Sequence, residues 1–316
     1  MSSKRANSLD GKTWARCSIS VWSDIRKSKE ELKLKHPALF PAQLVERIIE
    51  CFLPPDGKTV LDPFCGLGST VVAARNLGKT GIGLDINPEY VSAAQARLEQ
   101  LVGQERAPAQ PCRVIEANAI EVLNHVDEES VDLVVTSPPY WDVLTRRRSA
   151  DRKAVRNYGD SSDDLGRIAD YDEFLAALGR VFAQVLRALK PGAYCVVIVM
   201  DVRKRNQFYP LHSDLAAAMQ AAGYLWDDLI IWDRRQQYNN FRPLGYPAVF
   251  RINKAHEYVL IFQKPEDQDE IEDQIEIHDP KMRRKIQGSM KAYRAGKARP
   301  VREFVEELVR EGHDNV

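Results

Sequence analysis

The sequence predicts an α/β protein with a doubly wound, mostly parallel sheet. Short β-type runs alternate with helical patterns from residue 58 to residue 262, which is typical of a parallel sheet with helices on both faces. The run YCVVIVM at 194–200 is apolar throughout, as expected of a strand buried on both sides. The chain has 316 residues, of which 44% are hydrophobic, so it can bury a substantial core.

Helices are predicted where apolar residues recur at helical spacing between glycine or proline signals. Leu44, Ile48 and Ile49 have this spacing, and Pro41 suits a first helical turn. The predicted helices cover 36–52, 69–77, 88–101, 171–189 and 211–222. The predicted strands cover 59–61, 80–85, 113–116, 131–136, 194–200, 229–232 and 258–262.

Composition changes divide the chain into a large domain and flanking segments. We expect an N-terminal arm at 1–35 that packs on later structure, and one domain at 36–264. An acidic linker at 265–280 and a basic tail at 281–316 follow. Two polar stretches, 141–170 and 234–256, interrupt the alternation, and loops this long are usually functional or disordered.

Charge, cysteines and hydropathy exclude several classes of protein. Lys+Arg and Asp+Glu both number 45, which argues against a uniformly basic binder but permits a local basic face. The five cysteines are widely spaced and form no CxxC pair, so a disulfide framework or a metal site is not expected. No apolar run reaches the length of a membrane span. We therefore expect a cytoplasmic protein with neither metal nor membrane partner.

The segment VLDPFCGLGS at 60–69 runs from a predicted strand into a predicted helix. Its two glycines let the backbone turn tightly and approach a ligand. Asp85 ends the next strand, where a carboxylate can accept hydrogen bonds from both hydroxyls of a ribose. Val71 replaces the third glycine of a dinucleotide fingerprint, and no Walker lysine is present, which leaves S-adenosyl-L-methionine as the common nucleoside cofactor. Asp62 would suit its cationic end.

The segment Ser137-Pro138-Pro139-Tyr140 follows the strand at 131–136. Two prolines fix their φ angles and offer carbonyls on a rigid turn, at the strand end where open α/β sheets bind ligands. Such acceptors can hold the N–H groups of a base amine while its lone pair attacks a methyl group. The Tyr140 ring can stack on a base rotated out of the duplex.

The pair DPFCGLGS and TSPPY resembles the amino-directed DNA methyltransferases, the cytosine-N4 and adenine-N6 group. HPALFPAQL, GIGLDINPEYVSAAQARL and LKPGAYCVVIV resemble further motifs of that group, and the match covers about residues 33–263. The resemblance implies the Rossmann-like fold of class I S-adenosyl-L-methionine-dependent methyltransferases. It also implies double-stranded DNA as the partner, with the target base flipped.

The resemblance assigns roles by position. Ser137, Pro138, Pro139 and Tyr140 would hold the target base. The cofactor would contact His36, Pro37, Phe40, Pro41, Asp62, Phe64, Gly66, Gly68, Ser69, Asp85, Ile86 and Asn118. Relatives often carry Asp where this chain has Asn118, so that contact is the weakest of the set.

Ser137 favours cytosine N4 as the target, because adenine enzymes of this group usually carry Asp or Asn at that position. Adenine N6, an amine in structured RNA, and a non-catalytic partner that binds cofactor and DNA remain alternatives. Many relatives have a large recognition domain, and we expect none after residue 263 in this sequence. The sequence leaves open whether the protein forms a homodimer or has a partner subunit.

Two loops carry the residues expected to contact DNA, since arginines neutralise phosphates and amides and arginines read base edges. The loop after the diproline contributes Arg146, Arg147, Arg148 and Arg152. The later loop contributes Arg234, Arg235, Gln236, Asn239 and Arg242.

Overall fold

The computed structural model describes residues 6–34, 39–101, 111–142, 164–204, 206–237, 251–267 and 278. The helices in these ranges are α1 (Gly11–Cys17), α2 (Lys29–Lys33), α3 (Ala42–Phe52), α4 (Ser69–Asn76), α5 (Pro88–Glu99), α6 (Tyr171–Ala188) and α7 (Leu211–Ala221). The strands are β1 (Val21–Trp22), β2 (Thr59–Asp62), β3 (Thr80–Asp85), β4 (Arg113–Glu116), β5 (Val131–Thr136), β6 (Leu189–Val199), β7 (Val202–Lys204), β8 (Gln207–Tyr209), β9 (Leu225–Asp233) and β10 (His256–Gln263).

Eight of these strands form one mixed, mostly parallel sheet in the order β1-β9-β10-β6-β5-β2-β3-β4. Strands β2 to β6 pair in parallel, and β10 is antiparallel to both β6 and β9. The predicted mostly parallel α/β sheet is confirmed. Because β10 is reversed, its first residues lie at the same sheet edge as the carboxyl ends of β5, β6 and β9.

Alternate strand residues face two cores, one on each side of the sheet. Leu133 and Val135 pack with helix α3 on one face, and Val134 packs with helices α6 and α7 on the other. All of β5 and residues 195–199 of β6 are buried, which explains why these stretches are mostly apolar. Two covered faces define the doubly wound arrangement that the sequence predicts.

Strand β6 begins five residues earlier than predicted. The sequence LKPG at 189–192 indicates a helix end and turn, yet Leu189 already pairs with Val131 of β5. Lys190 donates to the Asp132 carboxylate at 2.5 Å, and Gly192 adopts a φ of +73° that other residues rarely adopt. Pairing with a neighbouring strand has overridden the local turn signal.

The N-terminal segment is part of the sheet as well as a packing arm. Val21 and Trp22 pair in parallel with Ile231 and Trp232 of β9, and Trp22 is almost fully buried. Asn7 donates to the Cys51 carbonyl at 3.1 Å. A strand of two residues has no periodicity, so the sequence alone could not predict it. In the described ranges, no helix has the length and apolar character that crossing a bilayer requires.

Candidate active site

A cleft opens at the carboxyl edge of the sheet, above strands β2, β3 and β5. Gly66 and Pro138 both line it, so the cofactor loop and the diproline turn face the same space. The empty space between its lining residues, including the part open to solvent, is about 820 Å³. The described lining comprises Leu39, Phe40, Pro63, Phe64, Cys65, Gly66, Leu67, Ser69, Asp85, Ile86, Tyr90, Asn118, Ala119, Ser137, Pro138, Pro139, Tyr140, Asp164 and Leu165.

The loop between β2 and α4 depends on two glycines with positive φ. Gly66 has φ +50° and Gly68 has φ +76°, a region that residues with a Cβ rarely adopt. A Cβ on Gly68 would lie 2.8 Å from the Cβ of Ala94 in α5. Gly66 therefore shapes the cleft wall, whereas Gly68 lets α4 start against α5 without itself lining the cleft.

Asp62 lies behind this loop, although the sequence predicts it as a cofactor contact. It is fully buried. One carboxylate oxygen accepts from Thr136 Oγ1 at 2.6 Å and from the Phe64 amide at 3.0 Å, and the other accepts from Thr70 Oγ1 at 2.6 Å. Burial raises the pKa of Asp62 to about 6. The carboxylate thus joins the cofactor loop to the strand that ends at the diproline turn.

Asp85, the predicted ribose contact, lines the cleft. Its carboxylate accepts from the Gly66 amide at 2.8 Å and from the Asn87 amide at 2.9 Å. Burial raises the pKa of Asp85 to about 6. Tyr90 also lines the cleft; it lies within the motif GIGLDINPEYVSAAQARL, but the sequence analysis assigned it no role. The carboxylate is held by backbone amides and keeps one face toward the cleft.

The four residues of the diproline turn all line the cleft. The Ser137 and Tyr140 hydroxyls are 3.0 Å apart, and Tyr140 donates to Glu257 Oε2 at 3.1 Å. Glu257, at the start of β10, is buried and forms an ion pair with Arg234. The antiparallel strand thereby fixes the position of the Tyr140 hydroxyl, a contact that sequence reasoning missed because 117 residues separate the partners.

Two buried polar atoms that line the cleft have no hydrogen-bond partner among the described residues, namely Ser69 Oγ and Asp164 Oδ2. Asp164 is 4% exposed, and burial raises the pKa of its carboxyl group. Buried polar atoms normally have partners, so both indicate a ligand with polar groups. Asp164 lies within the polar stretch at 141–170, and no motif spacing in the sequence could have identified it.

The described cleft lining favours a cation. Asp85 and Asp164 are its charged side chains, and the described lining includes no Lys, Arg or His. Burial raises the pKa of both carboxyl groups, because each loses much of its hydration in this wall. S-adenosyl-L-methionine carries a sulfonium and an ammonium group, so the charge of the cleft suits this cofactor.

The remaining predicted cofactor residues divide into three groups. Phe40, Phe64, Ile86 and Asn118 line the cleft. Pro41 precedes helix α3 as its N-cap residue and does not line the cleft. His36 and Pro37 lie outside the described residues. Asn118 Oδ1 accepts from the Ile120 amide at 3.2 Å, which leaves its amide nitrogen to face a ligand.

Most residues predicted to contact DNA lie outside the described ranges, namely Arg146, Arg147, Arg148, Arg152, Asn239 and Arg242. Arg234 pairs with Glu257, and its guanidinium carbon lies 4.9 Å from the Trp232 ring centroid. Arg235 forms an ion pair with Asp233 at 2.6 Å, and its side chain is 73% exposed. Gln236 is also exposed. Arg235 and Gln236 are thus accessible to a polyanion beside the cleft.

The DNA methylase family model matches residues 2–96 and 131–308 of this chain. The match includes both the glycine loop and the diproline turn, so the family expected from these motifs is confirmed, together with the Rossmann-like fold. Among the described residues, no group of three His, Cys, Asp or Glu side chains could hold a metal ion.

Similar proteins include DNA and RNA methyltransferases. Type II methyltransferase M.ScaI from Streptomyces caespitosus is 40% identical over 79 residues, 25% of this chain and 25% of that protein. The tRNA (guanine(10)-N2)-dimethyltransferase of Methanocaldococcus jannaschii is 32% identical over 140 residues, 42% of this chain and 38% of that protein. A candidate DNA modification methylase from Thermus thermophilus, solved with S-adenosyl-L-methionine, is 34% identical over 46% of this chain and 53% of that chain, with TM-score 0.33. The matches thus span about a quarter to a half of these relatives.

Proposed function

The chain belongs to the DNA methylase family, whose cofactor is S-adenosyl-L-methionine, and from this premise we propose that it methylates an exocyclic base amine in double-stranded DNA. Cytosine N4 at a specific site is the proposed target. The observation that carries the proposal is the shared cleft, in which the glycine loop and the diproline turn face one another.

The cofactor would supply a methyl group bonded to a positively charged sulfur. The carbon of this methyl group is the electrophile. Asp85 would accept hydrogen bonds from its ribose, and Ile86 would contact its adenine. Asp164 Oδ2 and Ser69 Oγ, which have no hydrogen-bond partner among the described residues, would bind the polar groups of the cofactor's methionine part. Asp62 would act from behind the loop, by holding Thr136 and Phe64 in place.

The base amine is a poor nucleophile, because its lone pair is delocalised into the ring. Ser137 Oγ and the Pro138 carbonyl would accept hydrogen bonds from its N–H groups and favour a tetrahedral nitrogen with an available lone pair. As this lone pair attacks the methyl carbon, the carbon–sulfur bond would break to leave a neutral thioether, and the methylated amine would lose one proton to water. Both residues line the cleft beside the glycine loop. Positioning of this kind can supply much of the rate enhancement.

Tyr140 would stack on the flipped base, and Glu257 would act as a positioning residue. The Tyr140 hydroxyl donates to Glu257 and lies 3.0 Å from the Ser137 hydroxyl. Glu257 is itself fixed by Arg234. Removing Glu257 would leave Ser137 and the Pro138 carbonyl in place but would allow the Tyr140 ring to turn. The exposed Arg235 and Gln236, together with the arginines of both loops, would contact the DNA around the flipped base.

Ser137 supports cytosine over adenine, since a hydroxyl stands where adenine enzymes usually carry a carboxylate or an amide. The test is incubation of the protein with labelled cofactor and mixed-sequence DNA, followed by digestion and mass spectrometry. We expect N4-methylcytosine. A product containing only N6-methyladenine would overturn the cytosine assignment, and the absence of any methylated nucleoside would overturn the proposed activity.

A second candidate substrate is an exocyclic amine in structured RNA. The observation that favours it is the similarity to a tRNA (guanine(10)-N2)-dimethyltransferase, which covers 42% of this chain. The same acceptor turn would serve a guanine or cytosine amine. Parallel assays on duplex DNA and on transfer RNA separate the two, because the DNA proposal requires activity on the duplex.

A further inference from the structure

A hairpin beside the cleft presents an exposed aromatic ring between two cations. It consists of β7 and β8, and Phe208 at its surface is 45% exposed. The Arg203 guanidinium carbon lies 5.6 Å from the ring centroid, and Lys254 Nζ lies 4.3 Å from it. An apolar ring of this size is normally buried. Here the ring is exposed and has two positively charged neighbours.

The hairpin is fixed directly to the diproline turn. Lys204 Nζ lies 2.8 Å from the Asp142 carboxylate and 3.6 Å from the centroid of Trp141. Trp141 also contacts the Tyr209 ring at 4.9 Å. Trp141 and Asp142 follow Tyr140 in the chain, so the hairpin lies at the side of the cleft where the base would enter.

The charge on this face is positive. Residues 202–209 and 251–256 contain five Arg and Lys residues and no acid. Asp201, which precedes β7, is 4% exposed and is paired with His212 at 2.6 Å and with Lys254 at 3.8 Å. Arg251 donates to Asn206 Oδ1 at 3.1 Å, which ties the hairpin loop to the segment before β10. The carboxylate is therefore buried, whereas Arg203 is exposed and Arg251 and Lys254 are partly exposed.

We propose that the face formed by Arg203, Phe208, Arg251 and Lys254, here called the hairpin patch, binds the DNA next to the target base. The Phe208 ring would stack on a base or sugar that loses its neighbour when the target is flipped, and the cations would contact phosphates. The proposal rests on the proposed function. It commits to DNA because an aromatic ring among cations complements bases joined by phosphates, and neither predicted DNA loop contains Phe208.

The test uses the full-length protein and a fluorescein-labelled duplex of mixed sequence. Phe208→Ala should weaken binding about tenfold, the effect expected for loss of one stacking ring, whereas Phe208→Tyr should bind as the unchanged protein does. Trp226→Ala is the matched control, because Trp226 is 38% exposed at the opposite end of the sheet. Cofactor binding serves as the test of folding and should be equal in all variants.

A second measurement examines the phosphate contacts. A plot of the logarithm of the binding constant against the logarithm of the salt concentration has a slope that reports phosphate contacts. Arg203→Gln should reduce the size of this slope by about one, because one phosphate contact is lost. If the unchanged protein binds the duplex and Phe208→Ala binds it equally well, the hairpin patch is overturned and the proposed function stands. If the unchanged protein binds the cofactor but no duplex, or binds only structured RNA, the proposed DNA function falls and the hairpin patch falls with it.

Discussion

The cleft has two walls, the glycine-loop wall and the diproline wall, and the carboxylates in or behind them have opposite kinds of partner. On the glycine-loop side, Asp62 and Asp85 accept hydrogen bonds from hydroxyls and backbone amides. On the diproline side, Glu257, Asp142 and Asp233 are each paired with an Arg or Lys side chain. The first wall keeps negative charge that its own residues do not neutralise, whereas the second neutralises its acids and places cations over aromatic rings.

The pKa values follow this difference. Burial raises the pKa of Asp62 and Asp85 to about 6, while hydrogen bonds from Arg235 lower the pKa of Asp233. Carboxylates in the glycine-loop wall that no cation neutralises attract a cationic ligand, whereas Arg and Lys side chains behind the diproline wall attract a polyanion. One cleft can therefore hold a positive cofactor and a nucleic acid on separate sides.

The largest expected effect comes from the diproline wall. Ser137→Ala should lower kcat about 100-fold, because it removes one preorganised acceptor for the amine, while cofactor affinity stays unchanged. Single-turnover methyl transfer and calorimetric cofactor binding measure the two quantities separately. Equal loss of turnover and cofactor affinity would show that Ser137 belongs to the cofactor wall instead.

An intermediate effect is expected from the cofactor wall. Asp164→Asn should weaken cofactor binding about tenfold, since a hydrogen bond to a charged group contributes about 1.5–3 kcal/mol. The matched control is Asp233→Asn on the other wall, which should leave cofactor affinity unchanged. Calorimetry on both variants makes the comparison, and equal affinities for Asp164→Asn and the unchanged protein would exclude Asp164 from the cofactor site.

The smallest expected effect is a dependence of cofactor affinity on pH. The folded-state pKa values of Asp62 and Asp85 are raised to about 6, so both carboxyls become ionised as the pH rises through that value. Affinity for the positively charged cofactor should increase several-fold between about pH 5 and pH 7. Without ligand, the same shifts lower stability over this range, because the folded state holds these protons more tightly than the unfolded state.

The control for this prediction is S-adenosyl-L-homocysteine, which lacks the sulfonium charge. Its affinity should change less with pH than that of the charged cofactor, as measured by calorimetry at a series of pH values. The same pH dependence for both ligands would show that the carboxylates do not respond to the sulfonium.

The sequence by itself determined the alternation of strands and helices and the two motifs that form the cleft. This succeeded because local signals decide these features: helical spacing in α3, the continuous apolar run at 194–199 in β6, glycines at Gly66 and Gly68, and two consecutive prolines. All twelve predicted helices and strands are present; β3, β4 and β5 have the predicted ends, and the other elements have shifted ends. The parallel sheet then brought both motifs to one edge, as the sequence predicted.

Only the tertiary structure decided which charges face the cleft and which are neutralised. The motif position of Asp62 predicts a cofactor contact. In the structure Asp62 instead lies behind the loop, where the Thr70 and Thr136 hydroxyls donate to it. Glu257 reaches Tyr140, and Asp164 enters the cofactor wall, through contacts between residues far apart in the chain. Such contacts leave no periodicity or spacing in the sequence, because they depend on how distant elements pack together.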